Sequence, residues 1–123
     1  MDKKKLLVIG DSRLTDQMFD QIERTVQAQD YFKIKRVISY EKHALGKDLA
    51  HSIENGNYHV VIIGPTPHKI SGIESGVSLS NWVRSLGSAV NVIEARTSSN
   101  QLKFTRKSYR DALEKALGSV SSQ

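Results

Sequence analysis

The chain contains no cysteine, which excludes disulfides, thiolate metal sites and any cysteine nucleophile or phosphocysteine. It also lacks long apolar runs. Nothing approaches the roughly 20 residues a spanning helix needs, so no membrane partner is expected. Lys3 to Lys5 followed by Leu6 to Ile9 has the charge order of a secretory signal, but the apolar run stops too soon, at Gly10-Asp11. The cytoplasm is therefore the expected location. Histidines number four, His43, His51, His59 and His68, and are spread over different segments without metal-ligand pairing, so neither a metal nor a cofactor is expected. Acidic residues are outnumbered, 13 against 18 basic, for a net charge of +5. The basic residues are scattered among Lys3 to Lys5, Lys33 to Arg36 and Lys103 to Arg110, with no interleaved aromatic platforms. Nucleic acid is thus a weaker expectation than a merely basic surface.

What is present reads as one domain. A chain of 123 residues suits a single modest core, expected over residues 1–118, with the serine-rich 119–123 as a flexible tail. Leu6 to Ile9 predicts a first buried strand. Leu14, Met18, Ile22 and Val26 then repeat every four residues, one apolar stripe on a helix widened by Phe19, with Ser12 as the expected cap. Ile34, Val37 and Ile38 mark a second strand. Leu45, Leu49 and Ile53 predict a second helix, which Asn55-Gly56-Asn57 would end. Val60 to Ile63 is an unbroken β-branched run of the kind covered on both faces of a parallel sheet. Leu79, Trp82, Val83 and Leu86 predict a third helix stopped by Gly87, and Val90 to Ile93 a fourth strand. Leu102 to Thr105 offers a short fifth. The last helix carries Tyr109, Ala112, Leu113, Ala116 and Leu117 on its buried face, with a capping-box spacing from Ser108 to Asp111 and Gly118 as its stop.

This alternation implies an α/β protein: a three-layer α/β/α sandwich around a flavodoxin-like parallel sheet of four or five strands, in the order 2-1-3-4-5. Strands one and three are then neighbours. Ligands in such sheets gather beyond the carboxyl ends of the strands, so Gly10 to Arg13 and Gly64 to Gly72 define the candidate site. No residue from Gly64 to Gly72 is a carboxylate or a cysteine. Thr66 and His68, the latter beside Lys69, are the binding candidates of that loop.

With these residues in view, the chain resembles the receiver domains of response regulators. LLVIGDSRLTDQMF is similar to the receiver's first strand and acidic pair, V-D-D-S-R, with Gly10 and Asp11 at the pair. NYHVVIIGPTPHKISGIE is similar to D-V-V-I-L-D-x-x-M-P-x-x-S-G-x-E, which sets Gly64 at the phosphoacceptor aspartate. The resemblance places Glu94 where receivers carry a switch serine or threonine, and Lys103 at the receiver lysine with Phe104 in place of proline. Phosphorylation there needs an aspartate nucleophile and a magnesium ion held by that aspartate and the acidic pair. Gly64 supplies no nucleophile, Gly10 removes one acidic group, and a carboxylate at 94 repels a phosphoryl group.

The resemblance therefore implies a degenerate pseudo-receiver that takes no phosphate and acts in signalling or regulation through a protein partner. Its degenerate site would comprise Asp11, Ser12, Gly64, Thr66, His68, Glu94 and Lys103. Gly10-Asp11-Ser12 also resembles the first block of GDSL esterases, with Ser12 as nucleophile, but no histidine follows His68 to serve as the usual base. A likeness to lactose and cellobiose phosphotransfer IIB proteins fails at their phosphocysteine, here Gly10. An esterase and a basic nucleic-acid-binding domain remain the alternatives.

Overall fold

In this computed structural model the described residues are 3–10, 12–37, 58–65, 79–85 and 90–121. They form β1 (Lys4–Ile9), α1 (Asp16–Thr25), α2 (Ala28–Tyr31), β2 (Phe32–Val37), β3 (Val60–Ile63), α3 (Leu79–Ser85), β4 (Asn91–Glu94) and α4 (Arg106–Ser121). The helix predicted around Leu45, Leu49 and Ile53 lies outside them.

All four strands are parallel, in the order β2-β1-β3-β4. The register sets Leu6 against Val60 and Val8 against Ile62, so that alternate residues stack into one face of the sheet. That face, with Ile93, buries Phe19 of α1 and Tyr109, Ala112, Leu113 and Ala116 of α4. Leu7, Ile9, Val61 and Ile63 line the other face beneath Val83, with Trp82 partly buried beside it. Each such aliphatic side chain contributes about 1.5–3 kcal/mol when fully buried, so the paired central strands anchor the fold.

Several local features differ from the sequence reading. The cap of α1 is Thr15, whose Oγ1 accepts the Met18 N–H at 3.2 Å. Ser12 instead accepts the Leu14 N–H at 2.9 Å, tightening the preceding turn. The helix is also rotated from its expected stripe: Phe19 and Glu23 are buried, whereas Leu14, Ile22 and Val26 are only partly covered. Glu23 reads as a solvent residue until its partners are known. After α1 the chain reverses at Gln27, which adopts the left-handed conformation with φ of 62°, and α2 makes one turn before β2.

The possible fifth strand does not form. Leu102 makes one isolated antiparallel bridge with Arg96, and the Lys103 N–H donates to the Ala95 carbonyl at 3.0 Å. Residues 95–103 therefore turn back as a small hairpin-like loop, with Asn100 at a φ of 65° in its tip. The capping box of the last helix begins three residues earlier than expected. Thr105 and Ser108 cap each other: the Ser108 N–H donates to Thr105 Oγ1 at 3.0 Å and the Thr105 N–H donates to Ser108 Oγ at 2.8 Å. At the other end α4 runs through Gly118 to Ser121. Gly118 is not its stop.

Candidate functional site

The carboxyl ends of β1 and β3 lie side by side, as the strand order requires. Gly10 follows β1, its N–H donating to the Val37 carbonyl at 3.1 Å, and Gly64 follows β3, its N–H donating to the Ile9 carbonyl at 2.7 Å. Both glycines are buried under the ring of Phe104. A Cβ at Gly64 would fall 2.4 Å from Phe104 Cε2 and 2.7 Å from both Cδ2 and Cζ, and one at Gly10 would fall 2.4 Å from Cε2 and 2.8 Å from the Gly64 Cα. Carbon atoms in contact ordinarily stand about 3.5–4.0 Å apart. Neither position has room for any side chain while the ring stays.

Phe104 is held there by other aromatics. Its ring meets Phe19 edge-on at a centroid distance of 5.5 Å and Tyr109 at 5.9 Å, and Phe19 and Tyr109 meet at 4.8 Å. Edge-to-face pairs of this kind contribute about 0.5–1.5 kcal/mol each beyond their burial. The 95–103 loop delivers the ring, and Ser108 Oγ, donating to the Lys103 carbonyl at 2.6 Å, ties that loop's end to the first turn of α4. The outer side of the ring floors a cleft of about 270 Å³ lined also by Ser12, Arg13, Pro65 and Lys103.

Of the residues predicted for the site, Ser12 and Lys103 thus meet at one cleft and Gly64 lies beneath it. Glu94 does not join them. Its carboxylate accepts the Ser80 hydroxyl at 3.0 Å and pairs with Arg96 at 3.2 Å, on the flank of β4. Asp11, Thr66 and His68 lie outside the described residues. Among the described residues the one histidine is His59, which precedes β3 at the opposite end of the sheet from Ser12. Its Nδ1 accepts the Lys5 N–H at 3.3 Å. No described histidine therefore stands where it could activate Ser12. Nor do three His, Asp or Glu side chains among the described residues gather as metal ligands. No helix there is long and apolar enough to cross a membrane.

The chain matches no family model, no curated protein and no solved structure. Its chemistry has to be read from its own residues.

Two features escaped the sequence reading. One is Phe104 itself, whose contact with Gly10 and Gly64 spans most of the chain. The other is a buried polar cluster behind it, centred on Glu23. That carboxylate, 1% exposed, accepts from Arg36 at 2.8 and 2.9 Å, from Gln29 at 2.9 Å and from the Tyr109 hydroxyl at 2.7 Å. Burial acts to lower the Arg36 pKa, but the hydrogen bond and the charge of Glu23 outweigh it and raise the value. Burial, reinforced by Glu23, pushes the Tyr109 hydroxyl far above its ordinary range, so it stays a neutral donor. Every buried side-chain polar atom among the described residues has a partner. The cluster joins α1, β2 and α4, and none of its side chains lines the cleft above Phe104, which marks it as architectural.

A second groove, of about 310 Å³, runs between α1 and α4. Met18 and Ile22 contribute apolar lining, and Arg106, Lys107 and Arg110 stand along its α4 side. Arg110 has only a loose pairing with Glu114 at 3.9 Å, so the groove keeps a positive margin.

Proposed function

We propose that this chain is a pseudo-receiver: a non-catalytic module of signalling or regulation that acts by binding another protein. The observation that carries the reading is the Phe104 ring over Gly10 and Gly64. In a phosphorylatable receiver this junction holds the acceptor carboxylate and part of the acidic pair. Here an aromatic side chain fills the same volume, and Ser12, Arg13 and Lys103 above it bring no carboxylate to hold magnesium. The parallel order β2-β1-β3-β4, with its switch point between β1 and β3, supports the same reading. The basic groove between α1 and α4 is the surface best suited to the partner, because apolar lining beside cations of which, among the described residues, only Arg110 has a loose acidic partner favours an amphipathic segment of opposite charge.

The test uses the amide NMR spectrum of the protein with magnesium and either acetyl phosphate or beryllofluoride. The expected result is no specific shift at Gly10, Asp11 or Gly64; a saturable shift at those residues sinks the proposal. In parallel, the protein is used as bait, with the charge-reversing pair R106E/K107E as control. A partner retained by the native protein and lost from the variant supports the groove, whereas equal retention moves the contact elsewhere.

A further inference from the structure

Among the described residues the sheet ends on an open edge at β4. The Asn91 N–H donates to the His59 carbonyl at 2.9 Å and the Ala95 N–H to the Ile63 carbonyl at 2.8 Å. In a parallel ladder this alternation turns the N–H and C=O of Asn91, Ile93 and Ala95 toward β3, and those of Val92 and Glu94 away from it. Among the described residues none pairs as a strand on the outer side of β4, where the chain turns back at residues 95–103 and proceeds into α4. A cleft of about 770 Å³ occupies that flank, with Val92, Ile93 and Glu94 on one side and Asp111, Glu114 and Lys115 of α4 on the other. Unpaired edges of this kind are ready templates for another strand.

We propose that a second copy of this chain covers the edge, its β4 running antiparallel to the first about a two-fold axis through Ile93. Self-pairing is favoured by two features of the edge. The outward-facing residues, Val92 and Glu94, flank Ile93 symmetrically. The two-fold sets Val92 of each copy opposite Glu94 of the other as hydrogen-bonded pairs, and both pairs exchange N–H and C=O. The charges of the cleft are self-complementary as well. Asp111 and Glu114 precede Lys115 on α4, so two such helices side by side in opposite directions bring acid against base. A partner segment of a single charge sign would meet repulsion from half of this wall. The paired edge is short, so the dimer is modest in affinity and forms with rising concentration.

Sedimentation equilibrium of the full chain from about 10 μM to about 1 mM, a span that brackets modest dissociation constants, tests the proposal. The native protein should move from the monomer mass toward twice that mass. Val92→Pro removes an outward N–H that the sheet does not use and should stay monomeric throughout, with unchanged circular dichroism. Lys115→Glu, on the exposed helix surface, should weaken association about tenfold by placing like charges together, and D111K/K115E should recover most of the loss. A native protein that is monomeric at every concentration overturns the proposal. So does a dimer that both Val92→Pro and Lys115→Glu leave intact, or a monomer that instead binds an unrelated extended peptide at Val92 and Glu94.

Discussion

Replacing Gly64 by alanine measures how firmly the Phe104 ring is set. The new Cβ would stand 2.4 Å from Cε2 and 2.7 Å from Cδ2 and Cζ of Phe104, so restoring ordinary contact requires the ring to retreat by roughly 1 Å. The ring is 4% exposed and braced by Phe19 and Tyr109, so it cannot swing aside without disturbing them. Overpacking of this kind costs about 1–3 kcal/mol, and we expect about 2 kcal/mol for Gly64→Ala. Phe104→Ala alone removes the ring and its two aromatic contacts, with a cost near the lower end of the usual range, about 3 kcal/mol. In the double variant the Cβ enters the vacated space, so the total should stay near 3 kcal/mol rather than reach 5, a coupling of about 2 kcal/mol. Urea unfolding followed by far-ultraviolet circular dichroism measures all four proteins, with midpoints compared at a common slope. Additivity of the two single costs to within about 0.5 kcal/mol would refute the claim that Phe104 dictates glycine at position 64.

Two further outcomes follow from the buried cluster and the last helix. The Tyr109 pKa is raised from its ordinary 10, so the folded protein retains a proton that the unfolded chain loses above pH 10. Stability should be unaffected by this group below pH 10 and should fall above it by about 1.4 kcal/mol per pH unit. Urea titrations at pH 9 to 11 on the native protein and Tyr109→Phe test this; equal slopes in the two would remove Tyr109 as the cause. Gly118 is exposed inside α4, with nothing within 4 Å of an added Cβ. Gly118→Ala should therefore stabilise the protein by about 0.5–1 kcal/mol, and a thermal midpoint that falls instead would show that the helix ends before it.

The strands were legible because burial on both faces demands uninterrupted apolar residues, and Leu6 to Ile9 and Val60 to Ile63 meet that demand without help from distant partners. Their order followed from the handedness of crossovers. The missing side chain at position 64 was equally legible, since Gly64 is visible as a glycine in any context. What fills the space was not. Phe104 looks like an ordinary apolar residue after a basic one, and only the fold brings it to positions 10 and 64. Glu23 was hidden for the opposite reason: a charged residue on a helix is read as solvent-facing unless Arg36 and Tyr109, which no periodicity links to it, are known to meet it. The caps were displaced because several residues near each helix start can accept a backbone N–H. Thr15 rather than Ser12, and Thr105 with Ser108 rather than Ser108 with Asp111, are distinguished only by where the backbone turns.

The Glu23 cluster also bears on the order in which the molecule can be completed. Its carboxylate and the Tyr109 hydroxyl are 86 positions apart in the chain, and contacts so distant in sequence close late, because the loop entropy between them must be overcome first. During synthesis from the amino terminus, α1, β2 and β3 emerge before α4 exists. Until then Glu23 has Arg36 and Gln29 but no roof, and the apolar face built from Leu6, Val8 and Val60 has only the α1 side of its cover, through Phe19. The last helix is thus the fastener of the domain. Nascent chains released before residue 106 should be protease-sensitive along α1, and full protection should arrive in a single step once Tyr109 can reach Glu23.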